Sequence, residues 1–162
     1  MTGNSGTATV GAEVDTFTSI EGFSMGSGDD AITLDSAALS SLASFDGNGG
    51  TDTVVFDDAG ATLTDSGLDG ADFAAVFSDV EELDFRNTDL TGGDTFDIGN
   101  DEIGSMNSGS SMTILVDTGT IALSDINPLT QSGATITNDI TVGNVRTVDW
   151  SDGTHLEING GP

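Results

Sequence analysis

The sequence predicts a mostly β domain, irregularly coiled like a β-solenoid or layered like a β-sandwich, with one or two short helices. Three observations predict it. Short runs of Val, Ile, Leu and Phe are bounded by Gly, Asp and Asn. A loose unit of Gly-rich turn, Asp and apolar strand recurs along the chain. The charge is extreme: two Arg and no Lys stand against 28 Asp and Glu, for a net −26.

The expected strands are Ala31–Leu34, Thr53–Phe56, Glu82–Phe85, Thr95–Ile98, Thr113–Val116, Thr120–Leu123, Ile140–Val142, Arg146–Trp150 and His155–Ile158. The last two are joined by Ser151-Asp152-Gly153-Thr154, whose Asp-Gly pair favours a tight hairpin. Ser36–Phe45 places Leu39, Leu42 and Phe45 at helical spacing, and Leu68–Phe77 does the same with Phe73, Val76 and Phe77. Residues 1–18 read as a linker or first strand, 19–160 as a single calcium-dependent β domain, and 161–162 as a linker remnant. Both ends read as cut points in a longer chain.

A folded chain at −26 repels itself unless cations neutralise it. Disorder fits poorly, because the apolar residues are spread through the whole length. General halophilic acidity would be diffuse and rich in Glu. Here Asp greatly outnumbers Glu and sits beside Gly and Asn in turns, where carboxylates and loop carbonyls build calcium sites. The polyanion excludes nucleic acid as a partner, since that requires basic patches. It also argues against anionic lipid, and no apolar run is long enough to span a membrane. There is no Cys, so bound metal is the expected staple.

The turns carry the chemistry. The calcium-binding nonapeptide G-G-x-G-x-D-x-U-x, with U large and apolar, is matched by residues 25–33 in all but its first Gly. Residues 47–55 match all but the second Gly, and residues 90–97 are a poorer copy. Glycine lets successive carbonyls turn toward an ion, Asp supplies a hard oxygen, and the apolar residue anchors the turn in the core. The expected metal ligands are Asp29, Asp30, Asp46, Asn48, Asp52, Asp57 and Asp94, together with Asp97, Asn100 and Asp101 in a further acidic turn. For any one of these, a solvated turn residue is about as good a reading as a ligand.

Arg86 and Arg146 stand out by rarity. Pairing with a structural carboxylate is the plainer reading of each, and capture of a ligand carboxylate the functional one. Arg86, Asp101, Asp152 and Trp150 are the expected ligand-binding residues, although Trp150 also fits the core. The lone His155 with no Cys makes a zinc site improbable. No nucleophile–base set has a supporting context, so the chain is expected not to be an enzyme.

Gly50-Thr51-Asp52-Thr53-Val54-Val55-Phe56, Val80-Glu81-Glu82-Leu83-Asp84-Phe85 and Gly93-Asp94-Thr95-Phe96-Asp97-Ile98 resemble non-tandem modules of giant repeats-in-toxin adhesins. Within that group the chain looks most like the calcium-dependent peptide-binding domain of Gram-negative adhesins. The resemblance spans roughly residues 19–160. It implies several calcium ions and an extracellular or cell-surface location reached by type I secretion. It also implies a monomeric module in a biofilm-forming adhesin that grips the C-terminal end of host peptides or proteins, with calcium helping hold the terminal carboxylate. A calcium-rigidified spacer and a calcium-dependent carbohydrate-binding module are the alternatives.

Overall fold

The computed structural model describes residues 5–10, 13–18, 22–39, 41–57, 69–88, 95–117 and 121–161. The chain is mostly β. Its strands are β1 (Ser5–Val10), β2 (Glu13–Thr18), β3 (Gly22–Ser24), β4 (Ala31–Leu34), β5 (Ser44–Asp46), β6 (Thr53–Phe56), β7 (Phe77–Ser78), β8 (Glu82–Asp84), β9 (Phe96–Gly99), β10 (Ser111–Val116), β11 (Ile126–Leu129), β12 (Ile136–Val142), β13 (Val145–Trp150) and β14 (His155–Gly160). Three short helices interrupt them: α1 (Ser36–Leu39), α2 (Gly70–Val76) and α3 (Asn100–Met106).

The main sheet has the order β12-β13-β14-β10-β8-β6-β4-β1-β2. Its centre is parallel: β4, β6, β8, β10 and β14 run the same way. Antiparallel hairpins flank both sides, β1–β2 at one edge and β12–β13 at the other. A second parallel sheet has the order β3-β5-β7, and β9 pairs parallel with β11. Between residues 22 and 84 the chain alternates between the main sheet and the second one, so one turn follows another at the same side.

Parallel in-register pairing sorts side chains into rows. Ile32, Val54, Leu83, Ile114 and Ile158 form one inward row, and all are buried. Leu34 and Phe56 pair in the next, with the buried Phe85 and Val116 beyond them. Phe73 on α2 closes the space between the sheets. Its ring centroid lies 5.8 Å from Phe56, 5.5 Å from Phe77, 5.9 Å from Phe85 and 5.4 Å from Phe96. Such tilted and edge-on pairs add directional attraction to the area they bury.

α2 starts where the spacing predicts. Asp69 caps it, accepting from the Ala71 and Asp72 N–H groups, while Asp72 returns a bond to the Asp69 N–H. The expected helix over Ser36–Phe45 is shorter. It ends at Leu39, and Phe45 is instead the inward residue of β5, 6.0 Å from Phe77. The expected strand Thr120–Leu123 is not formed by its described residues: Leu123 opens a 3-10 turn that Asp125 caps by accepting the Ala122 N–H. Residues 1–18, read as linker or first strand, supply two paired strands.

Candidate functional site

The turns 25–30, 47–52 and 79–81 each lead into a parallel strand of the main sheet. Ala31, Thr53 and Glu82 are register partners, so Asp30, Asp52 and Glu81, one residue upstream of each, fall into a single row. Their carboxylates knit neighbouring turns. The Asp30 N–H donates to Asp52 Oδ1 at 2.8 Å, and the Asp52 N–H donates to Glu81 Oε2 at 2.9 Å. The Thr51 N–H donates to Asp29 Oδ1 at 2.8 Å, and the Gly26 N–H to Asp30 Oδ2 at 3.2 Å. Asp46 Oδ1 accepts the Asn48 N–H at 3.1 Å. Asn48 sits at φ 66°, and its amide reaches Ser24 Oγ and the Met25 carbonyl. Gly50, at φ 135°, lies so close to the Gly28 backbone that any side chain would collide with it.

Asp52 differs from its neighbours. It is 0 % exposed, and its Oδ2 has no hydrogen-bond partner. Continued along the sheet, its row becomes Met112 and Leu156, both buried. An ionisable group thus occupies a core position. Burial pushes its carboxyl upward from the usual range, and the neighbouring Glu81, Asp30 and Asp29 charges add to that push against the Asp30 N–H bond. A Cβ placed on Gly47 would strike both the Asp79 carbonyl oxygen and the Asp52 carboxylate. Two oxygens therefore converge over a glycine at one spot.

The acidic turn 97–102, expected to supply metal ligands, has its side chains engaged within the protein. It is the end of β9 and the first turn of α3. Asp97 accepts from Thr95 Oγ1 and Asn127 Nδ2. Asn100 is buried, and its amide bridges Asp101 Oδ1 and Asp152 Oδ2 at 2.9 and 2.8 Å, while its Oδ1 accepts the Gln131 N–H. Asp101 also accepts from Ser132 Oγ, and Glu102 caps the Gly99 N–H at 2.7 Å. Ile98, Ile103 and Met106, all buried, hold this segment to the core. Asp97 lies on β9 while Asp101 and Glu102 lie on the first turn of α3, and each is turned to partners of its own. Asp57 is exposed at the end of β6, and its N–H donates to the Leu34 carbonyl. Asp94 lies outside the described residues.

Of the expected ligand-binding group, Asp101 and Asp152 share Asn100, and the Thr154 N–H holds the Asp152 carboxyl below its usual range. Arg86 is turned to Asp84 through two bonds, Nε–Oδ1 at 2.8 Å and Nη2–Oδ2 at 2.6 Å. Arg146 grips Asp139 through two bonds and donates to the Leu123 and Ile126 carbonyls. Both arginines thus follow the plainer reading. Trp150 is a correction: it is 3 % exposed and donates through Nε1 to the Leu129 carbonyl, so neither ring face is open to a ligand. His155 Nδ1 contacts Asp149 Oδ1 at 2.6 Å.

Gly47, Asp79 and Glu81 were not expected in the site. The signal for Glu81 was present: Asp30, Asp52 and Glu81 each precede an inward apolar residue by two positions, Ile32, Val54 and Leu83. Among the described residues no three Asp, Glu, His or Cys side chains converge closely enough to hold a metal ion by themselves. Comparison with protein-family models, curated proteins and solved structures found no match.

Proposed function

We propose that the chain is a calcium-dependent, solenoid-like β module of a secreted bacterial adhesin, binding the C-terminal end of a peptide on another cell's surface. One observation carries the calcium part: the fully buried Asp52 has an unpartnered Oδ2 that shares the space over Gly47 with the Asp79 carbonyl oxygen. A lone buried carboxylate oxygen is costly, and a hard cation takes carboxylate and carbonyl oxygens together. Asp52 and the Asp79 carbonyl would hold the ion, and water or a ligand carboxylate would complete its shell. Bound there, calcium would supply charge neutralisation and a tie between turns.

The binding part rests on the resemblance of residues 50–56, 80–85 and 93–98 to adhesin modules. A cation with an incomplete protein shell offers positions to a ligand carboxylate, and its local charge overrides the net −26. The test is calorimetry in excess calcium with peptides bearing free or amidated C-termini. Heat from the free acids alone supports the grip, and no heat from either refutes it. The spacer reading has its own support, because Asp29, Asp52 and Glu81 already join adjacent turns through backbone N–H groups. A melting temperature raised by calcium with no peptide binding would select it.

A further inference from the structure

β12 ends the main sheet, with β13 as its one neighbour among the described residues. It carries all three large hydrophobic residues that are exposed among the described residues: Ile136 at 36 %, Ile140 at 53 % and Val142 at 74 %. Val142 and Val145 pair across the two-residue turn Gly143-Asn144, with Gly143 at φ 62°. That pair exchanges both backbone bonds, so the N–H and C=O groups of Thr141 and Asp139 point away from β13, toward the open edge. Natural sheets guard such edges with Lys, Pro, bulges, inward-pointing charges or very short strands. β12 has a bulge between Ile136 and Asn138, but its stretch from Asn138 to Val142 pairs regularly and contains neither Lys nor Pro, and the charge of Asp139 is taken up by Arg146.

We infer that β12 is a docking edge that accepts an extended, basic peptide segment as an added strand. The occupant's charge follows from the chain's own. At −26, with both arginines ion-paired, a second copy meets strong repulsion and a Lys- or Arg-bearing strand meets attraction. Main-chain bonds to Thr141 and Asp139 would give affinity, and alternate side chains would give selectivity. On the outer face they would lie beside Ile140 and Val142. On the inner face they would pass Thr141, which lines a cleft of about 520 Å³ with Leu123, Ile126 and Arg146. This docking requires neither a free carboxylate nor a cation, so it stands apart from the grip proposed above.

The probe is acetyl-Lys-Val-Thr-Val-Thr-Val-Lys-amide, blocked at both ends, followed by fluorescence anisotropy at low ionic strength in calcium. Binding is expected. It should weaken at least about tenfold when alternate peptide nitrogens are methylated, and likewise when Glu replaces both Lys. Thr141→Pro, which removes an outward N–H without touching the β13 ladder, and Ile140→Ser with Val142→Ser should each weaken it by a similar factor, with circular dichroism unchanged. No binding, or binding indifferent to N-methylation, overturns the proposal whatever the variants do. Self-association in ultracentrifugation that Thr141→Pro abolishes, with no peptide binding, overturns it in favour of a second copy as occupant.

Discussion

Asp52→Asn should change the protein's stability with opposite sign in chelator and in calcium. In chelator the wild-type Oδ2 is buried without a partner and faces the like charges of Asp30 and Glu81. Asparagine keeps the acceptor that takes the Asp30 N–H at 2.8 Å. It also places an NH₂ donor beside the Asp79 carbonyl oxygen that shares the space over Gly47. Relieving one buried unsatisfied polar atom is worth about 1–3 kcal/mol. For a domain of this size each kcal/mol moves the melting temperature by about 2–4 °C, so the variant should melt higher than wild type in chelator. In calcium the order reverses. A bound ion stabilises by RT ln(1 + [L]/Kd), about 4 kcal/mol at a thousandfold excess over Kd, and the amide forfeits the anionic ligand that secures it. Scanning calorimetry of both proteins with and without calcium reads the crossing directly. If the two proteins keep the same order under both conditions, Asp52 is not a cation ligand and the reasoning from its orphaned oxygen fails.

Other consequences are open to measurement. Phe73→Ala should cost about 3–5 kcal/mol in urea unfolding, since that ring stands against Phe56, Phe77, Phe85 and Phe96. Arg146→Ala should cost about 2–3 kcal/mol, because it strips the Leu123 and Ile126 carbonyls of a charged donor and leaves Asp139 unpaired. Burial raises the Asp84 carboxyl, but its paired bonds to Arg86 outweigh this and hold it below its usual range. The pair's stabilisation is therefore present above the ordinary Asp pKa of about 3.9 and fades as pH falls through the lowered value. The stability gap between wild type and Asp84→Asn should accordingly hold through neutral pH and close only in acid, as followed by urea titration at each pH.

Local chemistry made several elements legible in the sequence. Ala31–Leu34 and Thr53–Phe56 stand where alternation and Gly-Asp turns placed them, and α2 begins at the Asp69 cap. Recurrence of turn, acid and strand foretold a mostly β chain of short strands. The failures are equally physical. Phe45 looked like the last residue of a helix by spacing, but pairing of β5 with β3 and β7 claimed it. Residues 97–102 read as an acidic turn, and the seven-residue α3 that begins within them at Asn100 was hidden because its apolar anchors Ile103 and Met106 follow a run of acids. The burial of Asp52 could not be read locally. Its neighbours Asp30 and Glu81 are 22 and 29 residues away in sequence, and only the parallel register brings them into one row.

That register also separates what can vary in this chain from what cannot. Ala31 pairs with Thr53, 22 residues on, while Thr113 pairs with Glu157, 44 residues on. Closing a loop twice as long costs only about 0.6 kcal/mol more, so the excursions between successive strands can lengthen or shorten at little thermodynamic penalty. The rungs cannot. Shifting β8 by one residue would put Glu82 or Asp84 in place of Leu83 in the inward row, and shifting β14 would put Glu157 or Asn159 in place of Ile158. A lineage of such proteins would therefore diverge freely in loop length and in the groups displayed there, while every inserted segment returned to the same ladder.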